Sequence, residues 1–230
     1  MYDNVFKRVE QKYLINEYQK NELLKRIANY IEKDEYYQSE ISNIYFDNDN
    51  SELLIESLEK PDFKVKVRLR SYNTPSINDN VFLEIKDKVN GIVGKRRIKL
   101  TLSEFYDYIN NHKIKDNQIM KELDYYFKLF NLKPSIFVAY DRLSFKEKNN
   151  KNLRITIDSN LRSRYDNLNL ESGSFGTNYF DKETYIMEIK VLDAIPLWLV
   201  KNLSDLKIYP TSFSKVGSIY TKNKRSEVLC

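Results

Sequence analysis

Residues 64–70 read Lys-Val-Lys-Val-Arg-Leu-Arg, a strict alternation of basic and apolar side chains. In an extended strand, successive side chains point to opposite faces. One face therefore carries Val65, Val67 and Leu69, and the other carries four cations in a row. Because like charges this close repel one another, we expect an anion to lie against the basic face.

The same division into an apolar and a charged face recurs elsewhere, so that at least six predicted strands share it. A solvated outer face of an antiparallel sheet would produce this alternation. Three observations favour inward-facing charges instead: few Ser, Thr or Gln on these faces, recurring Arg, and amphipathic helices able to cover the apolar faces. A closed antiparallel barrel would then enclose a polar tunnel. The charged positions outside residues 64–70 are Arg8, Glu10, Lys12, Glu84, Lys86, Lys88, Lys95, Arg97, Lys99, Arg154, Asp158, Glu188 and Lys190.

Helices are predicted from apolar periodicity and from capping residues. Asn16 is expected to cap a helix that runs to about Lys33, and residues 41–47 to form the next strand. Residues 166–178, rich in Asn, Ser and Gly, are the segment most expected to be mobile. The length of 230 residues and the absence of an evident linker predict one domain over residues 1–230.

Composition limits the classes of function. The net charge is +5, from 38 basic and 33 acidic side chains, so an anion site must come from local arrangement. One cysteine excludes an internal disulfide and fits a reducing, cytoplasmic compartment. We expect neither a signal peptide nor a membrane segment, because the longest apolar run, residues 195–200, is six residues. With one histidine, zinc is disfavoured, and a metal would need carboxylates, as Mg²⁺ or Mn²⁺ does.

Residues 8–13, Arg-Val-Glu-Gln-Lys-Tyr, resemble the N-terminal strand motif of the triphosphate tunnel metalloenzymes, the CYTH-like superfamily. Further stretches resemble its polyphosphate-polymerase branch, the VTC (vacuolar transporter chaperone) domain. They lie in family order between about residues 6 and 220, so the resemblance covers nearly the whole chain. The stretches are IYFD at 44–47, KVRLRSY at 66–72, FLEIK at 82–86, KRR at 95–97, AYDR at 139–142, LRITID at 153–158, MEIK at 187–190 and SFSK at 212–215.

The resemblance implies an α+β fold, a closed eight-stranded antiparallel β-barrel with helices packed on the outside. It implies transfer of the terminal phosphate of ATP onto a growing polyphosphate chain, with Mn²⁺ or Mg²⁺. Glu188 would be the main metal ligand and Glu10 a second one. The residues expected to carry the reaction are Lys12, Arg68, Arg70, Lys86, Arg142, Arg154, Lys190 and Lys215. Those expected to bind substrate are Arg8, Lys66, Lys88, Lys95, Arg97 and Ser214.

One departure from the superfamily separates the alternatives. Arg8 stands where the ExExK signature has its first Glu, which removes a metal ligand and favours the polymerase over the hydrolases. A metal-dependent hydrolase of inorganic or nucleoside triphosphate stays open, as does a non-catalytic polyphosphate-binding module. Nucleic acid is disfavoured as a partner, because no base-stacking pattern is evident. We expect the phosphate-sensing domain and membrane helices of the fungal members to be absent, with a separate membrane partner left open.

Individual residues also have structural interpretations. Glu188 and Lys190 could be a surface pair, Glu10 could only orient Lys12, and Arg142 could pair with a nearby carboxylate. Lys215 could be an ordinary helix-start lysine, and Tyr45 and Tyr140 are expected to serve packing. For the donor phosphates we favour Arg68 and Arg70, with Lys64 and Lys66 nearer a tunnel mouth.

Overall fold

The computed structural model describes residues 9–59, 62–89, 92–111, 116–148, 152–180 and 183–228. The strands in these ranges are β1 (Val9–Asn16), β2 (Ile31–Asp47), β3 (Phe63–Tyr72), β4 (Asn80–Val89), β5 (Ile92–Thr101), β6 (Lys133–Glu147), β7 (Arg154–Arg164), β8 (Thr177–Asn178), β9 (Thr184–Val191) and β10 (Pro210–Thr211). The helices are α1 (Glu17–Ile27), α2 (Glu52–Glu59), α3 (Leu102–Asn111), α4 (Gln118–Leu129), α5 (Leu197–Asp205) and α6 (Lys215–Val228). None of these helices is long and apolar enough to cross a membrane.

The fold is α+β with an antiparallel sheet, as predicted, but the closed eight-stranded barrel was wrong. The described residues form ten strands in the hydrogen-bonded order β10-β1-β9-β7-β6-β2-β3-β4-β5, with β8 on β7. No pairing joins β10 to β5 within these ranges, so the order is open. Two of the ten, β8 and β10, are two residues long and exist through pairing with β7 and β1. Such short strands leave no periodic pattern in a sequence.

The first helix is shorter than predicted. Asn16 caps α1, accepting from the backbone N–H of Gln19 at 2.8 Å, while the Gln19 side chain accepts from the Asn16 N–H. The helix ends at Ile27, and β2 begins at Ile31, where a continuing helix was expected. Ile31 is four residues after Ile27, as the next apolar position of a helix would be, but it lies on β2 and packs in the same core as Leu23 and Ile27. Periodicity alone therefore placed it on the wrong element.

The chain forms two compact units. Unit 1 comprises residues 1–39, 140–161 and 180–213. Unit 2 comprises residues 40–139, 162–179 and 214–230. Strands β2, β6 and β7 each contribute one part to either unit. A single domain over residues 1–230 stays a prediction.

In unit 2, helices cover the apolar face of β3–β5. Val65, Val67 and Leu69 are at most 1% exposed and pack in one core with Leu83 and Ile85 of β4. That core includes Leu53 of α2, Leu102, Phe105 and Tyr108 of α3, and Met120 and Leu123 of α4. The helix-covered apolar face is thus confirmed here. Burial of these side chains is the main term that stabilises the sheet.

Unit 1 repeats this arrangement on other strands. Its core joins Tyr13 and Ile15 of β1, Ile155 and Ile157 of β7, and Met187 and Ile189 of β9 to the apolar side of α1 and α5. Leu23 and Leu199 supply those helix contacts and are fully buried. In both units, most charged strand residues lie on the face opposite the apolar core. Asp87 and Arg96 are exceptions on the helix-covered side of unit 2, where Arg96 binds Asp87 and Glu122 of α4.

Candidate functional site: two charged sheet faces

Strand register assembles the first charged face in unit 2. Lys66 lies opposite Lys86, which lies opposite Lys95, so three lysines form one row across β3, β4 and β5. In the next row, Glu84 lies between Arg68 and Arg97. We call this surface the cationic face. Its charged members are Lys64, Lys66, Arg68, Arg70, Glu84, Lys86, Lys88, Lys95, Arg97 and Lys99, that is, nine cations and one carboxylate among the described positions of β3–β5.

Glu84 is the centre of the cationic face. Its side chain is 1% exposed, and Oε2 accepts from Nε and Nη2 of Arg68 at 2.8 and 2.7 Å. Its other oxygen, Oε1, lies 3.2 Å from Nζ of Lys95 and 4.0 Å from Nη1 of Arg97. Burial opposes the charge on this carboxylate, but Arg68, Arg70 and Lys95 override it and lower the pKa of Glu84 to about 2. Glu84 is therefore ionised and serves as counter-ion to several cations.

Tyr45 and Asn43 of β2 fix the two arginines of β3. The Tyr45 hydroxyl accepts from Nη1 of Arg68 at 3.1 Å, and the Asn43 side-chain oxygen accepts from Nε of Arg70 at 2.9 Å. Asn43 is fully buried and donates to the Val138 carbonyl at 3.1 Å. Arg68 and Arg70 are thus held in set orientations.

The same cations change the acidity of their neighbours. Burial would raise the pKa of the Tyr45 phenol, but Arg68, Arg70 and Lys66 lower it to about 8. The pKa of Lys95 is lowered to about 8, first by burial and then by Arg68 and Arg70, while Glu84 acts in the opposite direction. Positive charge from Arg68 and Arg70 contributes to both shifts, and an added anion would offset that contribution.

The lysine row and the start of α6 add further donors. Lys66 donates from Nζ to the Ser214 hydroxyl at 3.2 Å, and Ser214 also accepts from the Gly217 N–H at 3.3 Å. Lys215 is the first residue of α6 and is half-buried. Lys86 is exposed, and its ammonium group makes no ion pair or hydrogen bond with any residue in the described ranges. Its nearest partners across the sheet are two other lysines.

Unit 1 carries the second charged face, with a different charge balance. Lys12 of β1 lies opposite Glu188 of β9, which lies opposite Thr156 of β7. One row away, Lys190 lies between Glu10 and Arg154. We call this surface the mixed face. Its charged members are Glu10, Lys12, Asp34, Arg142, Arg154, Asp158, Glu188 and Lys190, four cations and four carboxylates in the part of the chain that the structure describes.

Each cation of the mixed face contacts a carboxylate or a carbonyl. Arg142 donates from Nε and Nη2 to the two oxygens of Asp158, at 2.6 and 2.8 Å. Burial disfavours the charged guanidinium, but Tyr140, Asp158 and Glu188 outweigh it and raise the pKa of Arg142. The other contacts are Arg154 Nε to Asp34 at 3.1 Å, Lys190 to Glu188, and Lys12 to the Phe213 carbonyl at 3.0 Å and to Glu10 at 3.8 Å. This face is close to neutral as it stands.

With this geometry in place, the chain can be compared with known proteins. The VTC domain family matches residues 7–221, which is nearly the whole chain. The chain belongs to the VTC domain family. This confirms the resemblance found in the sequence.

Subunit 4 of the vacuolar transporter chaperone complex from Schizosaccharomyces pombe is 25% identical over 145 residues, 53% of this VTC domain and 20% of that protein. Two solved structures share the fold, each at 14% identity. An adenylate cyclase candidate from Bacillus halodurans has a TM-score of 0.56 and covers 90% of this chain and 93% of its own. An adenylyl cyclase candidate from Hippeastrum with a dominant triphosphatase activity has a TM-score of 0.52 and covers 94% and 96%.

A divalent cation would find few protein ligands in this VTC domain. No group of three His, Cys, Asp or Glu side chains placed to hold a metal occurs among the described residues. Glu84 and Asp158 are each bound by an arginine, whereas Glu188 and Glu10 of the mixed face contact the lysines Lys190 and Lys12. Mg²⁺ in phosphoryl-transfer sites is held by one or two carboxylates, with substrate phosphates and water completing its shell. The residues fit such a site, although not a dedicated metal cage.

The structure distributes the predicted site residues over both units. The cationic face brings together seven of them, and two more lie at the start of α6, with Ser214 just before the helix and Lys215 as its first residue. The mixed face brings together Lys12, Glu10, Arg142, Arg154, Glu188 and Lys190. Arg8 lies outside the described residues.

Sequence reasoning missed the supporting residues Asn43 and Tyr45. Both alternate along β2 toward the charged side, opposite Arg70 and Arg68. That alternation was the available signal, but only the strand register shows which arginine each one contacts.

Proposed function

We propose that this VTC domain is a metal-dependent polyphosphate polymerase that transfers the terminal phosphate of ATP to a growing polyphosphate chain. The observation that carries the proposal is the cationic face, where strand register brings nine cations and one carboxylate together on the described positions of β3–β5. A surface with this imbalance favours a ligand with many negative charges. Family membership over residues 7–221 supports polyphosphate as that ligand.

Phosphoryl transfer requires positioning and charge stabilisation more than a protein nucleophile. Arg68 and Arg70 are held by Glu84, Tyr45 and Asn43, so they offer fixed positive charge to the transferred phosphoryl group. The lysines of the row are flexible point charges that suit a chain which must advance after each transfer. The remaining cations proposed for the reaction are Lys12, Arg142, Arg154, Lys190 and Lys215.

In the reaction, a terminal oxygen of polyphosphate attacks the γ-phosphorus of ATP, the bond to the β–γ bridging oxygen breaks, and ADP leaves. Glu188, with Glu10, would hold Mn²⁺ or Mg²⁺, which neutralises charge on phosphate oxygens when bound. A nearly neutral mixed face can accept a cation without added repulsion, which the cationic face cannot. We assign the metal to the mixed face for this reason.

The test is incubation with ATP and Mn²⁺ followed by gel analysis of polyphosphate. We expect a ladder of long chains from the native protein, and a loss of at least about 100-fold in Glu188→Gln, the scale of removing one preorganised electrostatic group. Glu17→Gln on α1 is a matched control, because it removes an exposed carboxylate of unit 1 outside the mixed face. Full metal-dependent ATP turnover by Glu188→Gln would overturn the assignment.

The main alternative is a hydrolase of inorganic or nucleoside triphosphate, and the same incubation separates it by release of orthophosphate without polyphosphate. A non-catalytic binding module would give neither product. Its affinity for polyphosphate would survive EDTA and fall steeply with salt. We further propose a cytoplasmic setting, from the cysteine content, and leave a membrane partner on another chain to be tested by co-purification.

A further inference from the structure

One buried polar group of the mixed face is the hydroxyl of Thr156. Thr156 is 2% exposed, and its Oγ1 makes no hydrogen bond with any described residue. A buried hydroxyl without a partner is destabilising, and in a native protein it commonly marks the place of a bound ion, water or ligand. Ser144 of β6, which alternates with Arg142, is 1% exposed and its hydroxyl also makes no hydrogen bond with any described residue. Thr156 differs from Ser144 because its own strand pairs with the strand that carries Glu188.

Its position on the sheet identifies its neighbour. Thr156 lies directly opposite Glu188 in the antiparallel pair of β7 and β9. Side chains directly opposite each other on one face have Cβ atoms about 4.5–5.5 Å apart. Glu188 itself is 7% exposed, so the hydroxyl of Thr156 and the carboxylate of Glu188 are neighbours that are both largely shielded from water. Alternation along β7 puts Arg154 and Asp158 on the same side.

We propose that the Thr156 hydroxyl is a ligand for the divalent cation at Glu188, an inference that rests on the metal-dependent function proposed above. Its oxygen offers a lone pair to a hard cation without adding charge. Hydroxyl side chains serve Mg²⁺ in this way in other phosphoryl-transfer sites. One carboxylate and one hydroxyl would form the protein's share, and phosphate oxygens and water would complete the shell. This explains how a site with so few carboxylates can bind metal.

Two other buried hydroxyls provide a contrast. Ser42 and Ser71 of unit 2 also lack hydrogen-bond partners, and they lie opposite each other in the pair of β2 and β3. Ser71 alternates with Arg70 and shares the apolar side with Leu69, where no carboxylate is its register partner. Nothing there attracts a cation. Ser71→Ala is therefore a matched control, since it also removes a buried, unpartnered hydroxyl.

The experiment measures Mn²⁺ binding to the full chain by electron paramagnetic resonance, with thermal unfolding followed in EDTA. We expect Thr156→Val to bind Mn²⁺ at least about tenfold more weakly, the lower end of losses at metal sites. Its unfolding temperature in EDTA should stay level or rise, because an unsatisfied hydroxyl is removed. Thr156→Ser should restore binding, and Ser71→Ala should leave it unchanged.

Three results would count against the inference. Unchanged Mn²⁺ affinity in Thr156→Val would overturn it. The inference would also fail if Thr156→Val lost affinity for the analogue β,γ-imido-ATP equally with and without EDTA, because the hydroxyl would then contact phosphate directly. A failure of Thr156→Ser to restore binding would indicate a packing role. Glu188→Gln distinguishes a failure of the Thr156 inference from a failure of the metal site itself. If Glu188→Gln abolishes Mn²⁺ binding while Thr156→Val does not weaken it, only the Thr156 inference fails. If neither variant weakens binding, the metal site proposed at Glu188 fails as well.

Discussion

The cationic face of unit 2 and the mixed face of unit 1 are both charged sides of antiparallel strands above apolar cores, yet they balance charge in opposite ways. The mixed face pairs four cations with four carboxylates. The cationic face has nine cations and one carboxylate, Glu84, among the described positions of β3–β5. The difference indicates that the mixed face is close to charge balance, whereas positive charge predominates on the cationic face and an added anion would be attracted to it.

The same difference is seen between two carboxylates that bind arginine, Asp158 on the mixed face and Glu84 on the cationic face. Asp158 has both oxygens bound by the single guanidinium of Arg142. Glu84 gives one oxygen to Arg68 and has Lys95 and Arg97 near the other. Asp158 neutralises the charge of Arg142, whereas Glu84 offsets only part of the charge of the cations around it. Removal of either carboxylate should therefore have unequal consequences.

The largest effect is expected from Glu84→Gln. The buried carboxylate would be lost while the cations around it remain, and breaking a buried ion pair in this way costs about 3–5 kcal/mol. Asp158→Asn should cost less, about 1–3 kcal/mol, because Glu188 still acts on Arg142. Urea unfolding of both variants measures the two losses. If Asp158→Asn lost as much as Glu84→Gln, the two faces would not differ as described. Added tripolyphosphate should restore more stability to Glu84→Gln than to the native protein.

Acid unfolding tests the same carboxylate without a mutation. The pKa of Glu84 is about 2 in the folded protein and ordinarily about 4.5, so its contribution to stability is present above pH 4.5 and lost as the pH falls through 2. A shift of this size corresponds to about 3 kcal/mol. The free energy of unfolding should fall between pH 5 and pH 3 in the native protein. The slope should be shallower in Glu84→Gln, and equal slopes would exclude Glu84 as the cause.

The next effect is expected from Lys86→Ala, and it has opposite signs for binding and folding. Lys86 faces lysines on both sides, so its removal relieves repulsion and should raise stability by about 0.2–1 kcal/mol without ligand. Tripolyphosphate affinity, measured by calorimetry, should fall about tenfold and depend less on salt. Lys121→Ala on α4 is the control, because that lysine is exposed and pairs with Asp116 at 2.7 Å. Unchanged affinity in Lys86→Ala would remove the lysine row from the binding surface.

The sequence predicted the parts of this comparison that depend on alternation. The alternating stretch 64–70 lies within β3, Phe63–Tyr72, and Val65, Val67 and Leu69 are buried on one face as expected. The stop of α1 and the strands β8 and β10 were missed, because Ile31 continued a helical spacing and two-residue strands have no period. The charged faces were divided correctly from the apolar ones within each unit, apart from Asp87 and Arg96, which pair with Glu122 of α4 on the helix-covered side. Their unequal charge balance was not predicted, since it depends on the register that puts Glu84 between two arginines.

Contacts between distant residues were also beyond the sequence. The Asn- and Ser-rich segment 166–178 was expected to be mobile from its composition, yet the buried Arg164 donates to four of its carbonyls, at 2.7–3.0 Å. Those carbonyls belong to Asn167, Asn169, Gly173 and Phe175. The guanidinium also lies over the rings of Phe137 and Phe175, and neither these contacts nor the bonds to backbone oxygens can be read from composition. Tyr45 is a similar case: the sequence predicts a packing role, and the hydrogen bond from Arg68 to its hydroxyl depends on strand register.

The smallest effect is expected at Tyr45, and it tests whether the excess charge acts on a neighbouring group. Tyr45 faces Lys66, Arg68 and Arg70 of β3, with Glu84 behind Arg68, while residues 134–139 of the adjoining β6 are uncharged. With its pKa at about 8, the phenol becomes an anion as the pH rises from 7 to 9. The cationic face then loses one net charge, and tripolyphosphate affinity should fall about two- to threefold.

Absorbance at 295 nm should show one tyrosine titrating near pH 8 in the native protein and none in Tyr45→Phe. The core tyrosines Tyr13 and Tyr108 have raised pKa values, so they stay silent in this range. Bound tripolyphosphate should move the Tyr45 titration to higher pH, because it supplies the negative charge that the phenolate would otherwise provide. An unshifted titration would mean that the anion binds elsewhere. A shift would link the unbalanced charge of the cationic face directly to its ligand.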